Sequence, residues 1–302
     1  MINVMLLYND VGRYWTVGSY IKRLFAQDPQ YNIVSHARIP EDVGMFTCKD
    51  LNINLAINID DGTCFKCHHH TKEIKEQGIK TAYWISDLHM VSWANWRLQL
   101  ISEFRYDHIF VCQKPFIPMI LERGYSQEQT HWLPHAIDSS LFIPMPQIEK
   151  IYDVGYVGYL NDKRKQHSDI LKEMINFKAY HTRWELDAAR CINECKIGWN
   201  CSVTDLDYAN MRVFETMACR VPLITNCNRK EHAGLLDLFE DGKHLLVYEN
   251  EQEMKEIIVR LLANPELREK IAYDGHIHTL QNHTYKNRLN TLLDTMGFPL
   301  LK

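Results

Sequence analysis

The chain has 302 residues, 46% hydrophobic and 24% charged, with 34 Lys and Arg against 38 Asp and Glu, for a net charge of −4. This composition excludes a disordered, highly charged chain. No apolar run approaches the roughly 18 residues of a membrane span. Residues 1–150 carry 14 basic and 16 acidic side chains and residues 151–302 carry 20 and 22, so neither half offers a generally basic face for nucleic acid.

Nine cysteines, an odd number without framework spacing, read as reduced, mostly buried thiols. The opening Met1–Tyr8 has no basic leader and no cleavage site, so it reads as a first strand and the expected location is the cytoplasm.

Taken in chain order, Ile2–Leu7 is a short apolar strand that ends in the turn-rich Asn9-Asp10-Val11-Gly12. Gly18-Ser19 precede a helix opening at Tyr20–Phe25, where Lys22 and Arg23 give a faint basic, amphipathic signal for a membrane surface. Asn54–Ile59 is a strand ending in Asp60-Asp61-Gly62, Thr71–Gln77 is helical, and Thr81–Ile85 is a strand ending at Ser86-Asp87. Leu88–Leu100, which holds Trp93 and Trp96, reads as a loop, most of its aromatics and Trp84 being core or boundary residues in the plainest reading. Ile109–Cys112 is another strand, and Ile117–Arg123 a helix closed by Gly124. Trp132–Pro146, with Pro134, Pro144 and Pro146, breaks the rhythm.

The pattern restarts with strand Asp153–Val157, the polar loop Gly158–Lys165 and helix Ile170–Met174. A short strand at Lys196–Asn200 follows, then helix Met211–Ala218, whose Val213, Phe214, Met217 and Ala218 recur at helical spacing. Val221–Thr225 is a strand, Leu236–Phe239 helical, Leu245–Tyr248 a strand and Glu253–Ala263 an amphipathic helix. Pro265–Ala272 starts the next helix with proline in its first turn.

Strand, loop and helix in repetition predict an α/β protein of two Rossmann-like domains facing a cleft. The boundaries are an N-terminal domain over 1–134, a linker over 135–150 and a C-terminal domain over 151–302. Ligands in such sheets bind outside the carboxyl ends of the strands. That rule brings Asp10, Asp60, Asp87, His89, Lys163 and Arg164 toward one region. Gly155-Tyr156-Val157-Gly158 with Lys163-Arg164-Lys165 suits a nucleotide diphosphate, because glycine admits phosphate to the backbone and basic groups balance its charge. It is not a Walker loop, and a solvated basic turn fits the same residues. Arg212 and Glu215 read on spacing as an ion pair. Cys64-Phe65-Lys66-Cys67-His68, with His69 and His70, matches a haem-attachment or metal-ligand pattern. It supplies three of the four ligands of a structural zinc, and no metal site is assigned. Cys191, Cys195 and Cys201 have no standard spacing and are expected in the core.

The run Asn210–Asn226 resembles the nucleotide-sugar segment of group 1 GT-B glycosyltransferases, closest to the branch named for spore-coat maturation proteins. Trp132–Asp138, Asp153–Gly158, Leu238–Tyr248, Asn264–Arg268 and His283-Thr284-Tyr285 extend the resemblance over residues 130–290. It implies a glycosyltransferase that moves a sugar from a nucleotide diphosphate sugar, a UDP-sugar foremost, to an unidentified acceptor with retention. Polysaccharide, lipid-linked sugar, protein and modified DNA bases are all open as acceptors. Under this resemblance Leu88–Leu100 is an expected acceptor loop, and Trp84, Trp93 and Trp96 are the candidates for stacking on sugar rings. It implies no required cofactor, with arginine and lysine doing what a divalent metal does elsewhere.

In the resemblance, Glu215 holds the ribose and Asp207 stands where many members have a sugar-contacting glutamate. Lys163 and Arg164 neutralise the diphosphate, with Gly158, Arg212 and Thr225 completing the donor side. His89 touches the donor sugar, and Asp87 orients the acceptor hydroxyl or acts as a base; capping of the following helix is the plainer reading of Asp87. Arg220 replaces the family's usual glycine, and the loop after Thr225 lacks its usual glycine pair. A nucleotide-sugar epimerase and a catalytically inactive binding module are the competing readings.

Overall fold

The computed structural model describes residues 1–8, 16–37, 52–59, 74–89, 91–181, 183–202, 206 and 208–302. Asp10, Asp60, Asp207 and the Cys64–His70 run lie outside the described residues. The chain divides into two units, Met1–Pro134 with Tyr285–Lys302, and His135–Thr284.

The first unit is built on a six-stranded parallel sheet in the order β2-β1-β3-β4-β5-β6. Its strands are β1 (Ile2–Leu7), β2 (Tyr31–Ala37), β3 (Leu55–Ile59), β4 (Lys80–Ile85), β5 (His108–Val111) and β6 (Thr130–Trp132). Strands β3 and β4 are buried almost end to end, as parallel strands covered on both faces must be. Helix α1 (Val17–Gln27) starts at Thr16, whose hydroxyl accepts from the Ser19 amide at 3.2 Å. Helix α2 spans Val91–Phe104 and α3 Ile117–Leu121. The acceptor loop expected at Leu88–Leu100 is therefore mostly helix. Ala94, Leu98, Ile101 and Phe104 of α2 pack on Tyr83, Ile85, Ile109 and Val111.

The C-terminal helix α10 (Tyr285–Met296) belongs to this first unit, which corrects the assignment of residues 285–302 to the second domain. The reason is packing. The Tyr285 ring stacks on Tyr20 with centroids 5.0 Å apart, and Arg288 Nε donates to the Pro134 carbonyl at 2.9 Å. The Lys302 amide donates to Asp28 Oδ2 at 2.7 Å.

The second unit has a five-stranded parallel sheet, β11-β10-β9-β7-β8. Its strands are β7 (Tyr152–Val157), β8 (Phe177–Tyr180), β9 (Cys195–Asn200), β10 (Leu223–Asn226) and β11 (Leu246–Tyr248). Alternate strand residues feed two cores, as a pleat of period two requires. Val157, Leu223 and Val247 pack with α5 (Glu185–Asn193) and α6 (Met211–Ala218) on one face. Val154, Tyr156, Ile197, Trp199, Ile224 and Tyr248 pack with α4 (Asp162–Met174) and α8 (Glu251–Ala263) on the other. The remaining helices are α7 (Leu235–Leu238) and α9 (Pro265–Asn282), the latter with Asn264 as cap and Pro265 in its first turn.

The strand order turns back at β7: β8 lies on one side, and β9, β10 and β11 follow on the other. The switch point between β7 and β9 is where an open α/β sheet leaves a crevice at its carboxyl edge. Among the described residues no helix is long and apolar enough to cross a membrane.

Candidate functional site

At the carboxyl end of β7 the backbone turns through Gly158, whose amide donates to the Tyr180 carbonyl at 2.9 Å. Gly158 has φ +152, and a Cβ there would lie 2.4 Å from the Tyr156 hydroxyl, so the tight exit requires glycine. The Asn161 side chain then caps α4 by accepting from the Arg164 amide at 3.0 Å. The expected polar loop Asn161–Lys165 is thus a helix N-terminus. Lys163 stands in the first turn, half-buried, and the helix dipole adds positive potential in the same place.

Arg164 is 7% exposed and turns inward. Its Nε donates to the Cys201 carbonyl at 2.7 Å and its Nη1 to the Tyr159 carbonyl at 3.0 Å. The guanidinium carbon lies 5.2 Å from the Tyr156 ring centroid. Arg164 therefore straps the loop after β7 to the residue after β9, across the switch point. Two of its donors are spent on backbone, so its first task is to shape the turn that carries Lys163.

Behind β9, α6 opens at Asn210, whose side-chain Oδ1 accepts from the Arg212 amide at 3.0 Å and whose Nδ2 donates to Asn200 Oδ1 at 3.2 Å. Glu215 is 3% exposed and pairs with Arg212 one turn earlier. Burial raises the Glu215 pKa, and the Arg212 charge opposes that shift. A buried carboxylate with one cationic partner keeps lone pairs for hydroxyl donors. The helix can approach the sheet because Gly198 of β9 faces Thr216: a Cβ there would lie 2.2 Å from Thr216 Cγ2.

Thr225, expected on the donor side, lies in β10. It is buried, and its Oγ1 accepts from Asn200 Nδ2 at 2.9 Å, tying β10 to β9. The neighbouring Asn226 Oδ1 accepts the Ser202 amide at 2.6 Å. Asn200, Ser202 and Asn210 were missed in the sequence, because their bonds join residues far apart in the chain. Arg220 has φ +55 and pairs with Glu269, its guanidinium carbon 5.4 Å from the Tyr273 ring. It follows the C-terminus of α6 and precedes β10, at the edge of the sheet opposite the crevice.

In the first unit, β4 leads into Ser86, Asp87, Leu88 and His89. Asp87 has φ +54, and its Oδ1 lies 3.9 Å from His89 Nδ1. Burial lowers the His89 pKa, with Asp87 opposing, so the ring is neutral near pH 7. The Asp87 carbonyl accepts from Arg97 Nη1 at 3.2 Å.

Trp84 is core and not a stacking platform: it is buried, and its Nε1 donates to the Leu133 carbonyl at 3.0 Å. The Trp93 side chain lies outside the described residues, and Trp96 is half-buried. Cys191, Cys195 and Cys201 are free and buried. Among the described residues, no three His, Cys, Asp or Glu side chains converge as metal ligands.

Residues 163–294 match the model of a family described as glycosyl transferase-like. No curated protein matches the chain. Among solved structures, HepE of Anabaena in complex with UDP and glucose aligns with a TM-score of 0.67 at 12% identity, over 98% of this chain and 100% of that one. HepE in complex with UDP-glucose aligns with 0.66 at 12% identity, over the same shares. Sucrose-phosphate synthase from Thermosynechococcus elongatus aligns with 0.65 at 11% identity, over 97% of this chain and 98% of that one. The fold is accordingly α/β of the GT-B type, with two Rossmann-like units on parallel sheets.

Proposed function

We propose that this chain is a glycosyltransferase that moves a sugar from a UDP-sugar to an acceptor hydroxyl with retention of configuration. One observation carries the reading. The glycosyl transferase-like match opens at Lys163, in the helix turn at the switch point of the second sheet, and spans the buried Arg212–Glu215 pair. UDP is the favoured nucleotide because HepE, alike in fold, was solved with UDP and with UDP-glucose. The run Asn210–Asn226 supports the finer assignment to the spore-coat maturation branch.

In this reading Glu215 accepts from the ribose hydroxyls, and Asp207 is assigned to the donor sugar by the resemblance alone. Lys163, Gly158 and the α4 N-terminus bind the diphosphate, with Arg164 shaping that turn and Arg212 holding Glu215. The bond from the anomeric carbon to the diphosphate breaks while the acceptor oxygen bonds on the same face. The acceptor proton passes to the departing diphosphate oxygen. Catalysis then rests on positioning and on stabilising the charge of the leaving group. Asp87 and His89 orient the acceptor hydroxyl and the sugar.

The test is a thermal-shift series with UDP, GDP, ADP, CDP and dTDP on the wild type and on Lys163→Ala. A nucleotide at about 100 times its dissociation constant adds about 2.7 kcal/mol, a rise of several degrees. The reading expects such a rise with UDP, reduced in Lys163→Ala. A flat response to all five nucleotides would remove it.

A further inference from the structure

Asp87 adopts a left-handed backbone at φ +54. Aspartate enters this region more readily than most residues with a Cβ, and here its surroundings hold it in place. The hold comes from α2. Arg97 is 0% exposed, and its Nη1 donates to the Asp87 carbonyl. The Arg97 guanidinium carbon lies 5.4 Å from the Trp96 ring centroid. Helix α2 is itself seated by Ala94, Leu98, Ile101 and Phe104 on the sheet that carries Asp87, so the donor and the turn share one rigid base.

A guanidinium in this place is expensive. Burial pulls the Arg97 pKa down to about 10, and an apolar side chain of similar size would fill the space at lower cost. Gln113 lies two residues beyond β5, as Asp87 lies two beyond β4. It too is fully buried, and among the described residues neither its Oε1 nor its Nε2 has a partner. Buried polar side chains thus stand beyond the carboxyl ends of both of these adjacent strands.

We propose that Arg97 is a positioning residue that fixes the Asp87–His89 turn, so that the carboxylate and the imidazole are presented together at the end of β4. It rests on the reading of Asp87 and His89 as groups that orient the acceptor and the sugar. Arg97 acts through the Asp87 backbone and needs no contact with substrate.

The experiment compares Arg97→Lys, Arg97→Gln and Arg97→Met in the full chain. UDP affinity is measured by calorimetry, and kcat and KM by UDP release from UDP-glucose. The His89 titration is followed by NMR of labelled histidine, with His89→Gln identifying the signal. The expected Arg97→Met protein is folded and binds UDP as the wild type does. Its kcat falls by about 10- to 100-fold at unchanged KM, the signature of lost orientation. Its His89 midpoint rises toward the ordinary 6.5 as the turn loosens into solvent. Arg97→Lys, which keeps a charged donor, recovers part of kcat and lowers the midpoint again.

If Arg97→Met does not fold, the Lys and Gln variants carry the same comparison. Folded variants with wild-type kcat and an unmoved His89 midpoint would overturn the proposal. A wild type that neither binds UDP nor releases it from UDP-glucose would overturn the nucleotide-sugar reading instead, and the His89 titration would still decide the role of Arg97.

Discussion

Arg164→Ala separates two roles that a basic residue beside a phosphate site can have. A direct ligand contact would leave the free protein's stability almost unchanged and weaken UDP binding. The geometry gives Arg164 a structural role first. It loses two hydrogen bonds from a charged donor, to Cys201 at 2.7 Å and Tyr159 at 3.0 Å. Each such bond contributes about 1.5 kcal/mol at the lower end of the charged range. The packing over Tyr156 adds to this. The expected loss is about 3 kcal/mol in the unliganded protein, a fall in Tm of about 6–12 °C at roughly 2–4 °C per kcal/mol for units of this size. Differential scanning calorimetry of the free protein reads it, with urea titration as a second measure. UDP affinity should fall as well, since the loop that carries Lys163 is no longer tied to β9. A free protein with unchanged Tm and a UDP affinity reduced tenfold or more would refute the strap and return Arg164 to direct phosphate contact.

Glu215→Gln keeps the shape of the side chain and removes its charge. It should weaken UDP binding about 10- to 100-fold, the difference between charged and neutral acceptors for ribose hydroxyls; calorimetry checks this. Gly198→Ala places a Cβ 2.2 Å from Thr216 Cγ2 and should cost about 1–3 kcal/mol by overpacking. The double variant with Thr216→Ala should recover most of that loss in urea titrations. Arg220→Gly should leave UDP affinity unchanged and shift stability by about 1 kcal/mol or less, because relief of the left-handed backbone offsets loss of an exposed ion pair. His89, His108, His131 and His244 all have pKa values lowered first by burial. Their unfolded forms bind protons more readily, so stability is held above pH 6.5 and falls as the pH drops below it, as Tm measured from pH 8 to pH 5 would show.

The helices with one apolar stripe were readable. Val213, Phe214, Met217 and Ala218 announce α6, and Asn264-Pro265 marks the start of α9. The strands β2 and β8 were not: Tyr31–Ala37 carries Asn32, Ser35 and His36, Phe177–Tyr180 carries Lys178, and both lie at sheet edges, where the apolar signal is weakest. Helix α2 was hidden by its tryptophans, which read as a sugar-facing loop. Nothing local in Tyr285–Met296 says that it folds onto the first sheet, since its docking depends on Tyr20 and Pro134, over 150 residues away.

The candidate site divides in the same way. Lys163 was legible as a charge, and Glu215 by resemblance. The Arg164 strap spans 37 residues to a backbone carbonyl, and the Gly198–Thr216 contact depends on tertiary packing; no motif encodes either. Arg220 stood out in sequence because it departs from the family's glycine, and its place at the opposite edge of the sheet explains why a long side chain is accommodated.

The central claim is that the second unit holds the donor nucleotide at its β7–β9 switch point. Photolabelling with 5-azido-UDP-glucose, followed by peptide mapping, tests it most directly. The account predicts label on peptides that contain the turn after β7, the residues after β9 or the start of α6, suppressed by excess UDP and reduced in Glu215→Gln. UDP-protected label confined to peptides of the first unit would contradict it.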